Sequence, residues 1–114
     1  MRIVDRQTFL SLPPNTVYQK YEPIFFGSIS IKMESLETDW VELDVSNPDF
    51  AEATDSGRWA MLCCEMEEGA SFPLYMESCG RDGLFDQNQL FAVWEPHDIE
   101  LLIEKLRACL PVAS

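Results

Sequence analysis

The chain has 114 residues, 46% of them hydrophobic, with seven Phe, three Trp and three Tyr, and its 20 Asp plus Glu against 8 Lys plus Arg give a formal net charge of −12. Length and aromatic content suit one folded domain over residues 1–114 and exclude intrinsic disorder, whose chains are poor in aromatic and β-branched residues. So few bases cannot neutralise a run of phosphates, which disfavours direct DNA or RNA binding.

In chain order, Asp5 is placed to N-cap a short helix with Phe9 and Leu12 on one side, stopped by Pro13-Pro14. Thr16 to Tyr21 is rich in β formers, and Glu22-Pro23 ends this strand or leads into Ile24-Phe25-Phe26, with Gly27 marking a bend or bulge. Ile29, Ile31 and Met33 then alternate with Ser28, Ser30, Lys32 and Glu34, as a half-buried antiparallel strand requires. After a polar turn around Glu34 to Thr38, Val41, Leu43 and Val45 alternate with Trp40, Glu42 and Asp44, which predicts a strand with one wet, acidic face.

Asn47-Pro48 can open a helical turn that Asp55-Ser56-Gly57 interrupts. Arg58 to Glu68 places Trp59, Leu62, Cys63 and Met66 on one side of an amphipathic helix closed by Gly69. Ser71 to Cys79 reads as an edge-type strand and Gly80-Arg81-Asp82-Gly83 as a turn. Gln89 to Glu95 is the most apolar stretch and a candidate for the middle of the sheet. Pro96 opens a last helix with Ile99, Leu102, Ile103, Leu106 and Leu110 as its apolar stripe, acids at its start and Lys105 with Arg107 near its end. Hairpin-like strands with flanking helices and no βαβ repeat predict an α+β fold, with a mainly antiparallel sheet of about four to six strands and about two to three helices.

No apolar run approaches the roughly 20 residues that cross a bilayer, and Met1 to Arg6 lacks the apolar stretch of a secretory signal, so the expected location is the cytoplasm, with no membrane contact. Cys63, Cys64, Cys79 and Cys109 do not form a disulfide framework and are read as reduced thiols. Zinc would need clustered Cys and His, and His97 is the sole histidine, so no metal and no cofactor are expected. A Cys79–His97 nucleophile and base is the one enzymatic pairing available, and a surface His at a helix start is the simpler account. Gly80 to Gly83 lacks the length and the Lys-Ser/Thr ending of a phosphate loop, and Asp82, Asp86 and Asn88 lack the Gly and closing Glu of a calcium loop. The chain is therefore not expected to be an enzyme.

The charge is unevenly distributed. Residues 1–32 hold two acids and four bases, while Met33 to Glu104 hold eighteen acids and only Arg58 and Arg81, a net −16 from 2 minus 18. Within this stretch Glu34, Glu37, Asp39, Glu42, Asp44, Asp49, Glu52 and Asp55 form a run of eight carboxylates in 22 residues with no base among them. Glu42 and Asp44, two apart on a strand, share a face about 6.6 Å apart. Such a row resembles a line of phosphates and would draw a basic protein surface over long range, while a solvated face that maintains solubility is the alternative.

Ile3 to Pro13, continuing through Lys20-Tyr21-Glu22-Pro23 to Phe26-Gly27, resembles the opening of small uncharacterised proteins of tailed bacteriophages and prophages. So does Gly80-Arg81-Asp82-Gly83-Leu84-Phe85-Asp86 followed by Gln89 to Trp94. No catalytic motif accompanies either block. The resemblance implies a phage accessory protein, a genre that includes anti-defence inhibitors such as anti-CRISPR proteins that fill a nuclease complex's nucleic-acid channel.

The resulting expectation is a phage-type inhibitor in the host cytoplasm that binds a host defence nuclease or nucleic-acid-binding complex. Its acidic face, Glu34 to Asp55, would act as a nucleic-acid mimic, with Trp40, Phe50 or Trp59 as anchors. Two alternatives stand beside it. One is a nucleotide-signal binder with a pocket of Tyr18, Tyr21 and Trp94 and with Arg58 or Arg81 on a phosphate; the other is a general protein-interaction module.

Overall fold

Residues 1–45, 55–72, 74, 79–82 and 86–111 are described by the computed structural model, apart from the side chains of Cys79 and Asp82. Chain order runs β1 (Arg2–Val4), α1 (Arg6–Leu10), β2 (Thr16–Glu22), β3 (Phe25–Phe26), β4 (Ser30–Ser35), β5 (Trp40–Asp44), α2 (Ser56–Glu67), β6 (Cys79–Asp82), β7 (Leu90–Val93) and α3 (Pro96–Ala108). Among the described residues these strands form one antiparallel sheet of seven strands, ordered β1-β7-β2-β4-β5-β6 with β3 pairing on β2. The fold is α+β.

Local signals account for most boundaries. Asp5 Oδ1 accepts a 2.8 Å hydrogen bond from Thr8 N–H at the start of α1, and the double proline at 13–14 forbids its continuation. Asp55 Oδ1 does the same for Arg58 N–H at 2.7 Å, opening α2, and Gly69 follows its end at φ +95, a conformation that glycine adopts without strain. Apolar β7 is flanked on both sides, by β1 and β2, which fits the continuous apolar character of Leu90 to Val93.

Three expectations are corrected. Gly80, Arg81 and Asp82 are not a turn but the edge strand β6, whose backbone pairs with Val41 and its neighbours on β5. The stripes of the two long helices are not buried: neither α2 nor α3 buries any residue, and Ile103, Leu106 and Leu110 stay exposed. The radius of gyration is 17.1 Å, against about 13 Å for a compact domain near this size.

The third correction concerns the sheet's faces. Register pairs Tyr18 with Ser30 and Val93, Ser30 with Asp44, and Lys32 with Glu42, so these side chains share one face. That face, the polar one by sequence, is the packed one. Phe9 of α1 lies over it, stacked on Phe91 at 4.0 Å between centroids and edge-on to Tyr18 and Trp40 at 4.7 and 5.0 Å. Val17, Ile31 and Leu43, on the other face, are only half-buried. Aromatic bulk from α1 decides the outcome, and fully buried Lys32 adapts by donating from Nζ to the carbonyls of Leu12 at 2.8 Å and Met33 at 3.1 Å. The Lys32 pKa is lowered by burial.

Candidate functional site

Where Phe9 and its partners stop covering the packed face, the sheet leaves a cleft. Tyr18 and Lys20 of β2, Gly27 and Ser28 after β3, Ser30 of β4, and Glu42 and Asp44 of β5 line a volume of about 240 Å³. Strand alternation supplies the wall, because positions 18 and 20, and 42 and 44, project to the same side. Gly27 permits the close return of the hairpin: its N–H donates to Lys20 O at 2.7 Å, and a Cβ there would lie 3.3 Å from the same oxygen.

A hydrogen-bonded chain forms the floor. Trp40 Nε1 donates to the Tyr18 hydroxyl at 2.8 Å, and that hydroxyl donates to Glu42 Oε2 at 2.6 Å, so a buried indole orients a carboxylate at the cleft. Ser30 is 7% exposed and contributes to the cleft lining. It faces the cleft across from Asp44, its register partner. Lys20 Nζ sits 5.8 Å from the Trp40 ring centroid, near enough for a cation–π contact.

The β2–β3 hairpin that borders the cleft has an unusual tip. Glu22 pairs with Phe25, leaving Pro23 and Ile24 as a two-residue loop. Ile24 has φ +65, which is strained for a β-branched residue, and it is 82% exposed; Phe25 and Phe26 follow at 70% and 52%. Three consecutive exposed apolar residues on a strained turn form a projecting apolar patch beside a charged cleft.

The carboxylate run does not hold together as one row. Glu42 and Asp44 share one strand face as expected, and that face lines the cleft, whereas Glu34 is exposed at the β4 bulge and Glu37 on the β4–β5 turn. Asp39 is buried and takes the guanidinium of Arg81, leaving its Oδ1 without a hydrogen bond. That contact raises the Arg81 pKa, chiefly through the hydrogen bond. Trp40 is fully buried among Phe9, Tyr18 and Phe91, so as an anchor it is corrected to a core residue. Asp55 is a helix cap, Trp59 is 47% exposed on α2, and Asp49, Phe50 and Glu52 lie outside the described residues.

The other sequence candidates are separated as well. Tyr18 and Tyr21, three apart on one strand, face opposite sides of the sheet; Trp94 Nε1 donates to Gln19 Oε1 at 3.0 Å, two residues from Tyr21 and on its side. They do not line one pocket. His97 is exposed at the start of α3, and the Cys79 side chain lies outside the described set. Cys63, Cys64 and Cys109 are free thiols. Among the described residues no group of three His, Cys, Asp or Glu could hold a metal, and no helix is long and apolar enough to cross a membrane.

Sequence reasoning missed Ser30, Gly27, Ser28 and the hairpin tip as site residues. The signal for the tip was present: Pro23 followed by Ile24-Phe25-Phe26 places an apolar triplet immediately after a turn former. The chain matches no protein-family model, no curated protein and no solved structure.

Proposed function

We propose that the chain is a non-enzymatic binding protein that engages a basic protein partner through the Glu42–Asp44 cleft and the adjoining Ile24–Phe26 tip. The observation that carries this reading is the pairing of two carboxylates on one cleft wall with an exposed apolar triplet on its border. Charge would steer a basic partner and the apolar tip would hold it, a division of labour common in protein interfaces. The net charge of −12 supports long-range attraction to such a partner.

The finer reading is a phage-type inhibitor of a host defence nuclease or nucleic-acid-binding complex, acting in the host cytoplasm. It is supported by the resemblance of the Ile3–Gly27 and Gly80–Trp94 blocks to phage proteins and by the acidity. Mimicry of nucleic acid is centred on the Glu42–Asp44 pair, because among the described residues of the run Asp39 is buried, Asp55 caps a helix, and Glu34 and Glu37 are exposed away from the cleft.

The test is capture of the partner from a bacterial host with tagged protein, followed by titration of the captured partner with wild type and Asp44→Lys. Weaker binding and a shallower salt dependence for Asp44→Lys are expected. Unchanged affinity with unchanged salt dependence would remove the cleft from the interface.

A further inference from the structure

We infer that the apolar stripe of α3 is a self-association face, on which a second copy of the chain docks its own α3 in antiparallel orientation. This goes beyond the partner-binding reading and uses a different surface, since no residue of α3 lines the cleft.

The stripe lacks a covering layer. α3 buries no residue: Ile99 and Leu102 are half-buried, and exposure then rises through Ile103 at 45% and Leu106 at 57% to Leu110, just past the helix end, at 68%. An amphipathic helix of 13 residues, roughly 20 Å long, is marginal alone and takes most of its stability from packing such a stripe.

Charge selects the occupant. Successive residues turn by about 100°, so Glu100 and Arg107, seven apart, lie on the same flank of the stripe. A two-fold axis across the middle of the stripe, near Leu102 and Ile103, brings Ile99 against Leu106 of the second copy, Leu102 against Ile103, and Glu100 beside Arg107. The same operation turns this flank onto itself, so each contact occurs twice. In a parallel pairing Glu100 would meet Glu100 and Arg107 would meet Arg107. Among the described residues neither Glu100 nor Arg107 has an ion pair within its own chain.

On the other flank Lys105 comes opposite Asp98, whose carboxylate the Met1 amino group already holds, so that contact adds little. Acids first and bases last also suit the helix dipole, but a dipole does not account for the bare apolar stripe between them. One helix per copy makes a small interface, and the expected dimer is accordingly weak, in the micromolar range or above.

Sedimentation equilibrium of the full-length chain, from about 1 µM to about 1 mM, tests this. The buffer holds about 0.15 M salt, so that repulsion between two chains of net −12 is screened beyond about 8 Å. Wild type should pass from monomer to dimer across that range. Leu106→Glu should stay monomeric, while Leu101→Glu, on the opposite side of α3 and 46% exposed, should dimerise like wild type. Glu100→Arg and Arg107→Glu should each weaken the dimer at least about tenfold through like-charge contact, and the two together in one chain should restore it. Glu100→Arg reduces the net charge to −10, from −12 plus 2, so general repulsion alone predicts a stronger dimer instead. Circular dichroism checks that Leu106→Glu is folded, as the exposure of Leu106 leads one to expect; if it is not, the exchange of the two charges decides.

The inference is overturned if wild type is monomeric throughout, if Leu106→Glu dimerises like wild type, if Leu101→Glu fails to dimerise, or if the double variant stays as weak as the single ones. The partner reading stands or falls separately, on Asp44→Lys.

Discussion

The Tyr18 hydroxyl stands between Trp40 and Glu42, accepting from the buried indole at 2.8 Å and donating to Glu42 Oε2 at 2.6 Å. Core and cleft are thereby one hydrogen-bonded unit. Tyr18→Phe leaves the indole N–H of fully buried Trp40 without its acceptor and releases Glu42. The expected cost is about 1–3 kcal/mol in urea unfolding, with weaker partner binding; a variant as stable as wild type would contradict the coupling.

Phe9 is the aromatic residue through which α1 covers the sheet, touching Tyr18, Trp40 and Phe91 at once. Phe9→Ala removes the centre of a small aromatic cluster that no residue of α2 or α3 joins. A loss of about 3–5 kcal/mol is expected in chemical denaturation, enough to unfold a marginal domain.

Lys32 gives the stability an alkaline signature. Burial lowers its folded pKa below 10.5, so between that lowered value and 10.5 the unfolded chain binds the extra proton. Its contribution to stability therefore rises with pH through that window and levels off above it. The difference in urea midpoint between wild type and Lys32→Met, followed upward from neutral pH, should move in favour of wild type. A flat or opposite trend would contradict the burial of a charged ammonium at this position.

Ile24 pays a conformational cost at φ +65 that glycine does not. Ile24→Gly is expected to leave stability unchanged or raise it by up to about 1 kcal/mol, despite the greater flexibility of the unfolded chain. Binding to the captured partner should fall in the same variant, since the residue is 82% exposed and serves no internal contact by burial. Lost stability together with intact binding would reverse the assignment of the tip.

Local chemistry was legible in the sequence wherever one residue type dictates it. Asp5 and the double proline bound α1, Gly69 closes α2, Pro96 opens α3, and the apolar run at Leu90 to Val93 lies inside the sheet. The choice of sheet face was not legible, because alternation defines two faces without saying which one a distant helix will cover. Phe9 covers the face of Ser30, Lys32 and Trp40, a tertiary decision that overrides the polar pattern of Ser28 to Glu34. The same decision changed the site: Trp40 moved from anchor to core, and Glu42 and Asp44 became cleft walls instead of links in a long acidic row. Gly80 to Asp82 misled for a related reason, since pairing with β5 holds in strand form a segment whose composition favours a turn.

The central claim is that the Glu42–Asp44 cleft meets a basic partner, and the salt dependence of partner affinity tests it most directly. Dissociation constants for the partner captured with wild type, measured across a range of salt concentrations for wild type and Asp44→Lys, should show wild-type affinity falling steeply as salt rises. The variant should bind at least about tenfold more weakly at low salt, with a visibly flatter slope. Superimposable curves for the two proteins would contradict the account.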